Sequence, residues 1–288
     1  MVVGLAALWG FNYVLIGIAV KELSPAVLSA ARALGGALAL AIWRPRTVVG
    51  AWRLLCEQPV LALVVSAILV SLPLWLLGVA EHNGVSAGAT SVVLALSPAL
   101  IAVAAPLVDH TERLSGAQWT GAAVATAGVA VVVGASAAEL GTAVGLVAIV
   151  LCAVIYAAGS IVAKLRCEGW PAAEMALLTL GVGGVLLTPA ALGSLPAGPP
   201  SIGVIVAMSL LAVVGTAMSF AFLYAAIKFG GAGFSLRPVY LSPAFSVIGG
   251  AIFLDQSVTA GLAIGFVITC VGVALSTTGS AEDEKVPI

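Results

Sequence analysis

The chain has 288 residues, of which 62% are hydrophobic and only 8% are charged, with a formal net charge of −1. Soluble domains carry about 25% charged residues, so a soluble globular protein is excluded and most of this surface must face lipid. The absence of a basic stripe gives no support for a nucleic-acid partner.

Ten apolar runs follow one another along the chain, and each suits a hydrocarbon core about 30 Å thick. Short polar or turn-forming segments, such as Ser24-Pro25, separate them. The first run begins at Val2 without a charged leader, so we expect no removable signal peptide. The predicted spans are 3–20, 26–43, 60–80, 84–106, 116–135, 143–163, 172–192, 202–226, 232–253 and 258–277. The polar tail, 279–288, is predicted to be disordered and cytoplasmic.

The basic residues lie almost entirely on alternate loops, which predicts the orientation in the membrane. With a cytoplasmic amino terminus, only Lys21 lies on the opposite side. The cytoplasmic loops and tail then hold Arg44, Arg46, Arg53, Arg113, Lys164, Arg166, Lys228 and Lys285. We therefore predict a multi-pass protein of the cell inner (plasma) membrane with both termini in the cytoplasm.

A four-residue pattern, Leu-Ser-Pro-Ala, occurs in the fourth and ninth spans, and its prolines, Pro98 and Pro243, lie 145 residues apart. This repetition indicates that spans one to five and six to ten are copies of one unit. Because each copy has an odd number of spans, the second enters the membrane inverted. We predict an all-α fold of ten transmembrane helices in two inverted five-helix repeats, 1–137 and 138–278, around a central cavity.

Proline removes a backbone hydrogen bond and bends a helix, so Ser97, Pro98, Ser242 and Pro243 are predicted hinge residues. A serine at this position either donates to a carbonyl of its own helix or faces the cavity that the bend opens. The sequence does not decide between the two.

The first span carries Trp9-Gly10-Phe11-Asn12, the second carries Arg32, and an acidic residue follows each proline-centred span. This pattern resembles EamA-type members of the drug/metabolite transporter superfamily over nearly the whole chain. The resemblance implies secondary transport of small metabolites, amino acids among them, often outward. It also implies that the fifth and tenth helices are peripheral. Two departures are Asp255-Gln256, where the family usually has glutamate, and Arg237, where it commonly has a small or apolar residue.

Arg237 lies within the ninth predicted span, six residues before Pro243. An ionised group in the membrane is costly and usually faces a cavity or a partner. We predict that Arg237 pairs with a carboxylate or phosphate of the solute, with snorkelling to the interface as the alternative. Arg32 and Glu174 are predicted members of a polar network, either structural or in contact with the solute.

Aromatic and polar side chains spaced four apart share one helix face and suit the wall of a solute pocket. The interfacial aromatic belt is the alternative location for these aromatic residues. The predicted lining residues are Trp9, Asn12, Tyr13, Trp75, Tyr156, Ser160, Phe220, Tyr224 and Tyr240.

No sequence motif indicates a cofactor, a metal site or ATP hydrolysis, and Cys56, Cys152, Cys167 and Cys270 have no metal-ligand spacing. Glu81 and His82 end the third span, and we expect a solvated pair there in preference to a proton relay. No carboxylate is predicted at mid-membrane depth, so the coupling ion stays open.

The sequence thus predicts a non-ATP transporter, acting by alternating access, that exports small polar metabolites such as amino acids. The first alternative is efflux of drugs or cationic compounds, which requires an acidic residue embedded in the cavity. A membrane enzyme or sensor is the remote alternative, since no cluster of His, Asp or Glu and no soluble output domain is present. The expected partners are the solute and the lipid bilayer, and the oligomeric state is not predicted.

Overall fold

The computed structural model describes residues 2–97, 99–101, 104, 116–135, 141–219 and 241–278. Within these residues the secondary structure is helical, without a β-strand. We number the helices α1 to α11 in chain order. They are α1 (Val2–Ala19), α2 (Pro25–Trp43), α3 (Arg46–Glu57), α4 (Pro59–His82), α5 (Ala87–Leu94), α6 (Gly116–Ala135), α7 (Ala143–Arg166), α8 (Ala172–Leu192), α9 (Ile202–Met218), α10 (Leu241–Phe253) and α11 (Ala260–Thr278).

Four of these helices, α2, α4, α7 and α8, are long and apolar enough to cross a membrane. They correspond to the second, third, sixth and seventh predicted spans. Shorter apolar helices lie in each of the other six predicted spans. The all-helical fold is confirmed within the described residues, and a total of ten crossings stays a prediction.

Helix α3 lies in a segment that the sequence analysis treated as a loop. Its residues Val48, Ala51, Trp52 and Leu55 share one face and line an apolar groove against α2, α4 and α8. Arg53 is exposed on another face. A short helix with one apolar and one charged face is typical of the membrane interface. The segment was missed because its apolar residues recur at helical spacing over too short a length to form a span.

Helices α6 and α11 pack on each other through glycine. A side chain at Gly265 would meet the Gly128 carbonyl at 2.7 Å, and one at Gly272 would collide with the backbone of Ala125. Close backbone approach at small residues is a common way to pair helices in membranes. Gly128, Gly265 and Gly272 therefore lie at the contact between the fifth and tenth predicted spans.

Two short π-helical segments interrupt α4 and α9, at Ala67–Ser71 and Val213–Met218. They lie in the third helix of each predicted repeat. Ser71 ends the first segment and Thr216 lies in the second. These two hydroxyl-bearing residues are 145 positions apart in the chain, the same interval as the two prolines. The repeat therefore extends to a local feature of the backbone. Segments of this kind are frequently found at functional sites.

Helix α10 packs between α1 and α5. A side chain at Gly10 of α1 would meet the Ser242 carbonyl at 2.5 Å, so the two helices touch at the Leu-Ser-Pro-Ala motif. On the other side the Ser246 hydroxyl donates to the Ala87 carbonyl at 2.6 Å, and the Gln256 side chain accepts from the Ala87 amide at 3.0 Å. The ninth predicted span is thereby fixed to the first half of the chain.

Replacing Gly272 with leucine is expected to lower the thermal stability of the purified protein strongly. The added side chain would meet backbone atoms of α6, which cannot rotate away, and overpacking alone costs about 1–3 kcal/mol. The measurement is the unfolding midpoint in detergent. Gly134→Leu is the matched control, because nothing lies within contact distance of a side chain there. Equal midpoints for the two variants would contradict this packing.

Candidate functional site

The π-helical segment of α9 exposes a backbone carbonyl to α1. The Asn12 amide Nδ2 donates to the Gly215 carbonyl at 3.0 Å, and both residues are buried. A side chain at Gly215 would collide with Asn12 Oδ1, so glycine is required for this approach. Asn12 Oδ1 is itself buried without a hydrogen-bond partner. The contact joins the first and second halves of the chain and leaves one acceptor free.

The same π-helical segment also contacts the guanidinium of Arg32, which is only 8% exposed. Arg32 Nε donates to Thr216 Oγ1 at 3.3 Å, and Thr216 Oγ1 donates to the Leu211 carbonyl at 2.8 Å. Among the described residues, no carboxylate lies within ion-pair distance of Arg32, and none accepts from its two terminal amino groups. A buried cation held in this way is costly in a membrane, which is the usual mark of a functional position.

Tyr156 of α7 reaches an interior space. Val147 and Leu151 form part of an exposed stripe on one face of this helix, whereas Tyr156 projects from the opposite face, where Ile149 and Cys152 are fully buried. Tyr156 is nevertheless 41% exposed. The exposed surface of Tyr156 therefore lies on the interior face of α7, away from the exposed stripe.

Glu81 is the main correction to the sequence analysis. The residue is only 7% exposed, and both carboxylate oxygens are buried without a hydrogen-bond partner. It approaches α1 at Gly17, where a side chain would lie 3.2 Å from Glu81 Oε2. His82 remains exposed and its Nδ1 lies 3.2 Å from the Val20 carbonyl. The prediction of a solvated Glu81–His82 pair was wrong for Glu81. Helix α4 continues to His82, and Gly17 of α1 leaves room for the Glu81 carboxylate to be buried.

These groups converge from five helices. Tyr13 lies within electrostatic range of Arg32, Glu81 and Tyr156, and Arg32 lies within range of the same three side chains. We call the set the central polar cluster. Its members are Asn12, Tyr13, Arg32, Glu81, Tyr156 and Thr216.

The remaining predicted lining residues are distributed more widely. Trp9 is half-buried, on the same face of α1 as Tyr13, and Trp75 of α4 is 39% exposed. The Ser160 hydroxyl donates to the Tyr156 carbonyl at 2.8 Å, a bond within its own helix. Four predicted residues lie outside the described part of the chain, namely Phe220, Tyr224, Arg237 and Tyr240.

The structure does not bring Arg32 and Glu174 together. Helix α8 runs antiparallel to α2, with Gly184 against Leu34, whereas Glu174 lies in the first turn of α8 and packs on Gly50 of α3. The ten residues from Glu174 to Gly184 span about 15 Å of helix. A direct network between the two charges is therefore not formed.

The predicted hinge residues differ between the two copies. Helix α5 ends at Leu94, and a turn at Ala95 and Leu96 separates it from the helical residue Ser97, which is half-buried. Pro98 lies outside the described residues. In the second copy Ser242 and Pro243 are buried within α10. The interruption in the first copy agrees with the expected effect of proline, and a hinge motion remains a proposal.

A structural feature that the sequence analysis missed is the pair of π-helical segments. No residue type marks them, since each reads as continuous apolar helix. The signal that was available is the recurrence of a hydroxyl, Ser71 and Thr216, at the repeat interval. Ser71 donates to the Gly183 carbonyl at 3.0 Å, as another contact between the two halves.

Comparison with known proteins identifies a family pattern over both halves. The model of the EamA-like transporter family matches residues 1–134 and 143–278. A crystal structure with 21% sequence identity covers 97% of this chain and 99% of its own chain, with a TM-score of 0.61. At that identity the likeness supports the fold alone. No curated protein matches the chain.

Thr216→Val is expected to destabilise the protein by about 1–3 kcal/mol, because Arg32 Nε loses its buried acceptor. Thr179→Val is the matched control, since that buried hydroxyl bonds only to carbonyls of its own helix. The measurement is the free energy of unfolding in a double-mutant cycle with Arg32→Gln. A coupling above about 0.5 kcal/mol is expected, and additive effects would contradict the contact.

Proposed function

The chain belongs to the EamA-like transporter family, and we propose that it is a secondary transporter that exports small polar solutes bearing an anionic group. Amino acids are the first class of candidate. Transport proceeds by alternating access to a cavity between two inverted repeats, with both termini in the cytoplasm. Export is the direction that the family resemblance favours.

One observation carries the choice of an anionic group, namely the buried guanidinium of Arg32. Its Nε is engaged by Thr216, and no described residue accepts from its terminal amino groups. A guanidinium presents its donors in a fixed planar fork that matches a carboxylate in two parallel hydrogen bonds. A solute carboxylate bound there offsets the cost of the buried charge.

Three other members of the central polar cluster, Asn12, Tyr13 and Tyr156, bind the body of the solute. Tyr156 faces the interior space and Tyr13 lies beside it, so the two phenol rings offer both an apolar surface and hydroxyl donors. The free Asn12 Oδ1 accepts from a solute amine or hydroxyl. Trp9, Trp75 and Ser160 extend the wall, and Phe220, Tyr224 and Tyr240 complete it.

Arg237 is proposed as a second cationic group on the solute path, as the sequence predicts. Its place in the ninth span is next to the α10 segment that contacts Gly10 of α1. The Leu-Ser-Pro-Ala motifs supply the hinges around Ser97, Pro98, Ser242 and Pro243. Two cations on the solute path would let a carboxylate pass from one to the other as the cavity changes sides.

The test is counterflow in proteoliposomes with a panel of amino acids, sugar phosphates, nucleosides and cationic dyes. We expect saturable flux of a carboxylate solute by the wild-type protein. Arg32→Gln and Arg237→Gln are expected to lower that flux at least about tenfold, since each removes a charge-assisted contact of about 1.5–3 kcal/mol. Arg53→Gln is the matched control, because Arg53 is exposed on α3 and touches no part of the cluster.

Undiminished carboxylate flux in Arg32→Gln, with the protein folded as judged by its unfolding midpoint, would remove Arg32 from the solute site. The same result for Arg237→Gln would remove Arg237 and favour the snorkelling alternative. Flux of sugar phosphates in place of amino acids would keep the anionic site and change the solute class.

Efflux of cationic compounds is the second candidate, and the buried Glu81 favours it. This alternative requires an embedded acidic residue, and Glu81 is a buried one. The two candidate functions differ in which charged side chain the flux requires. If the solute is a cation, dye flux is lost in Glu81→Gln and retained in Arg32→Gln.

A further inference from the structure

The carboxylate of Glu81 lies beside a small cavity at the end of α4. The cavity has a volume of about 280 Å³ and is lined by polar and apolar groups of α1, α4 and the segment after α10. Its lining residues include Gly17, Lys21, His82 and Gln256. Glu81 is thus a buried acid with both oxygens unpartnered, next to a space that admits water.

An ionised carboxylate without hydrogen-bond donors is expensive to bury, and binding a proton or a metal cation removes that expense. The groups around the cavity suit a metal ion poorly, because such an ion needs several oxygen ligands and few oxygen atoms are free here. Gln256 Oε1 already accepts from the Ala87 amide, and the Val20 carbonyl lies against His82 Nδ1. Glu81 is the one carboxylate among the residues that line the cavity. A proton needs no further ligand.

The charged and titratable groups around Glu81 come from each neighbouring element. Lys21 of α1 lines the same cavity, and Arg32 of α2 and Tyr13 of α1 lie within electrostatic range. His82 follows Glu81 on α4. Helix α7 adds Tyr156 and Cys152, and Asp255, beside Gln256, is exposed. Arg32 carries a positive charge close enough to act on Glu81, so a change in the charge at Arg32 affects whether Glu81 holds a proton.

We propose that Glu81 is the proton-carrying group of the transporter and couples solute movement to a proton gradient. This inference rests on the proposed transport function. When the cavity is open, a hydronium ion of the adjoining aqueous phase transfers its proton to a Glu81 oxygen and leaves as water. After the cavity changes sides, the O–H bond breaks and the proton passes to water of the other phase. No redox change or other co-reactant is involved.

Arg32 gives this proton a link to the solute. A solute carboxylate at Arg32 reduces the positive potential that favours ionised Glu81. Binding of an anionic solute and binding of the proton therefore assist each other, because each lowers the cost of the other. The pair crosses together, so the proton and the anionic solute move in the same direction, which is outward when the outward solute gradient exceeds the inward proton gradient.

Infrared difference spectra of the protein in lipid provide a test that requires no solute. We expect the wild-type protein near neutral pH to have a protonated-carboxyl band that is lost on alkaline titration. The band should be absent in Glu81→Gln and retained in the matched control Glu57→Gln, whose carboxylate is exposed on α3. A wild-type protein without this band at any pH, or an unchanged band in Glu81→Gln, would overturn the proposal.

Solute accumulation in proteoliposomes provides the second test. We expect an imposed pH gradient to drive accumulation by the wild-type protein and the accumulation to be lost in Glu81→Gln, while counterflow persists. Glu81→Asp, which keeps the carboxylate, should restore part of the accumulation with a shifted pH profile. Solute accumulation driven by a sodium gradient would overturn the proposal. Accumulation driven by the pH gradient in Glu81→Gln would also overturn it, as would a loss of counterflow in Glu81→Gln equal to its loss of accumulation.

The two tests separate failure of this inference from failure of the proposed function. If the wild-type protein transports none of the panel solutes, the proposed solute class fails and the infrared titration still decides whether Glu81 binds a proton. If the wild-type protein transports a carboxylate solute without response to the pH gradient, the function stands and the coupling role of Glu81 is wrong.

Discussion

Polar groups inside a bilayer have no water to bond with, so the protein must satisfy them itself. Among the described residues, several of these polar groups bond across the two halves of the chain. Asn12 bonds to Gly215, Arg32 to Thr216, Ser71 to Gly183 and Ser246 to Ala87. Each pair takes one partner from each half. Three of these contacts involve residues of the π-helical segments of α4 and α9. In such a segment the backbone hydrogen bonds depart from the regular α-helical pattern.

Contacts of this kind suit the alternating access that we propose. Hydrogen bonds between membrane helices contribute about 1 kcal/mol or less each, so a few of them hold the halves together without locking them. The glycine contact between α6 and α11 is different, because it brings two backbones together without polar groups that need to exchange partners. Helices α6 and α11 thus form a closely packed pair, whereas the central polar cluster includes hydrogen bonds that join the two halves.

The sequence predicted the helical class and the family pattern over both halves, because these depend on apolar runs of a given length and on recurrence of the Leu-Ser-Pro-Ala motif. The ten spans and the bounds of the two repeats stay predictions. It also named Asn12, Tyr13, Arg32 and Tyr156, since polar and aromatic residues in apolar helices are conspicuous. It failed at Glu81, which stands near the end of a span. Whether such a residue is solvated or buried depends on a neighbouring helix, here on Gly17.

The π-helical segments and α3 were missed for related reasons. A π-helical segment changes the hydrogen-bonding register without a distinctive composition, so the contacts of Gly215 and Thr216 follow from tertiary packing. Helix α3 is amphipathic and shorter than a span, and a search for apolar runs passes over it. The Arg32–Glu174 network was expected from repeat position alone, whereas the helices place the two residues at different depths.

The central claim is that a solute binds between the two halves at the central polar cluster. A structure of the protein with a transported solute bound, in a lipid nanodisc, tests it most directly. The account predicts density for the solute carboxylate at the terminal amino groups of Arg32, with its remaining atoms against Tyr13 and Tyr156. Solute density away from these residues, or Arg32 engaged by a carboxylate of the protein itself, would contradict the account.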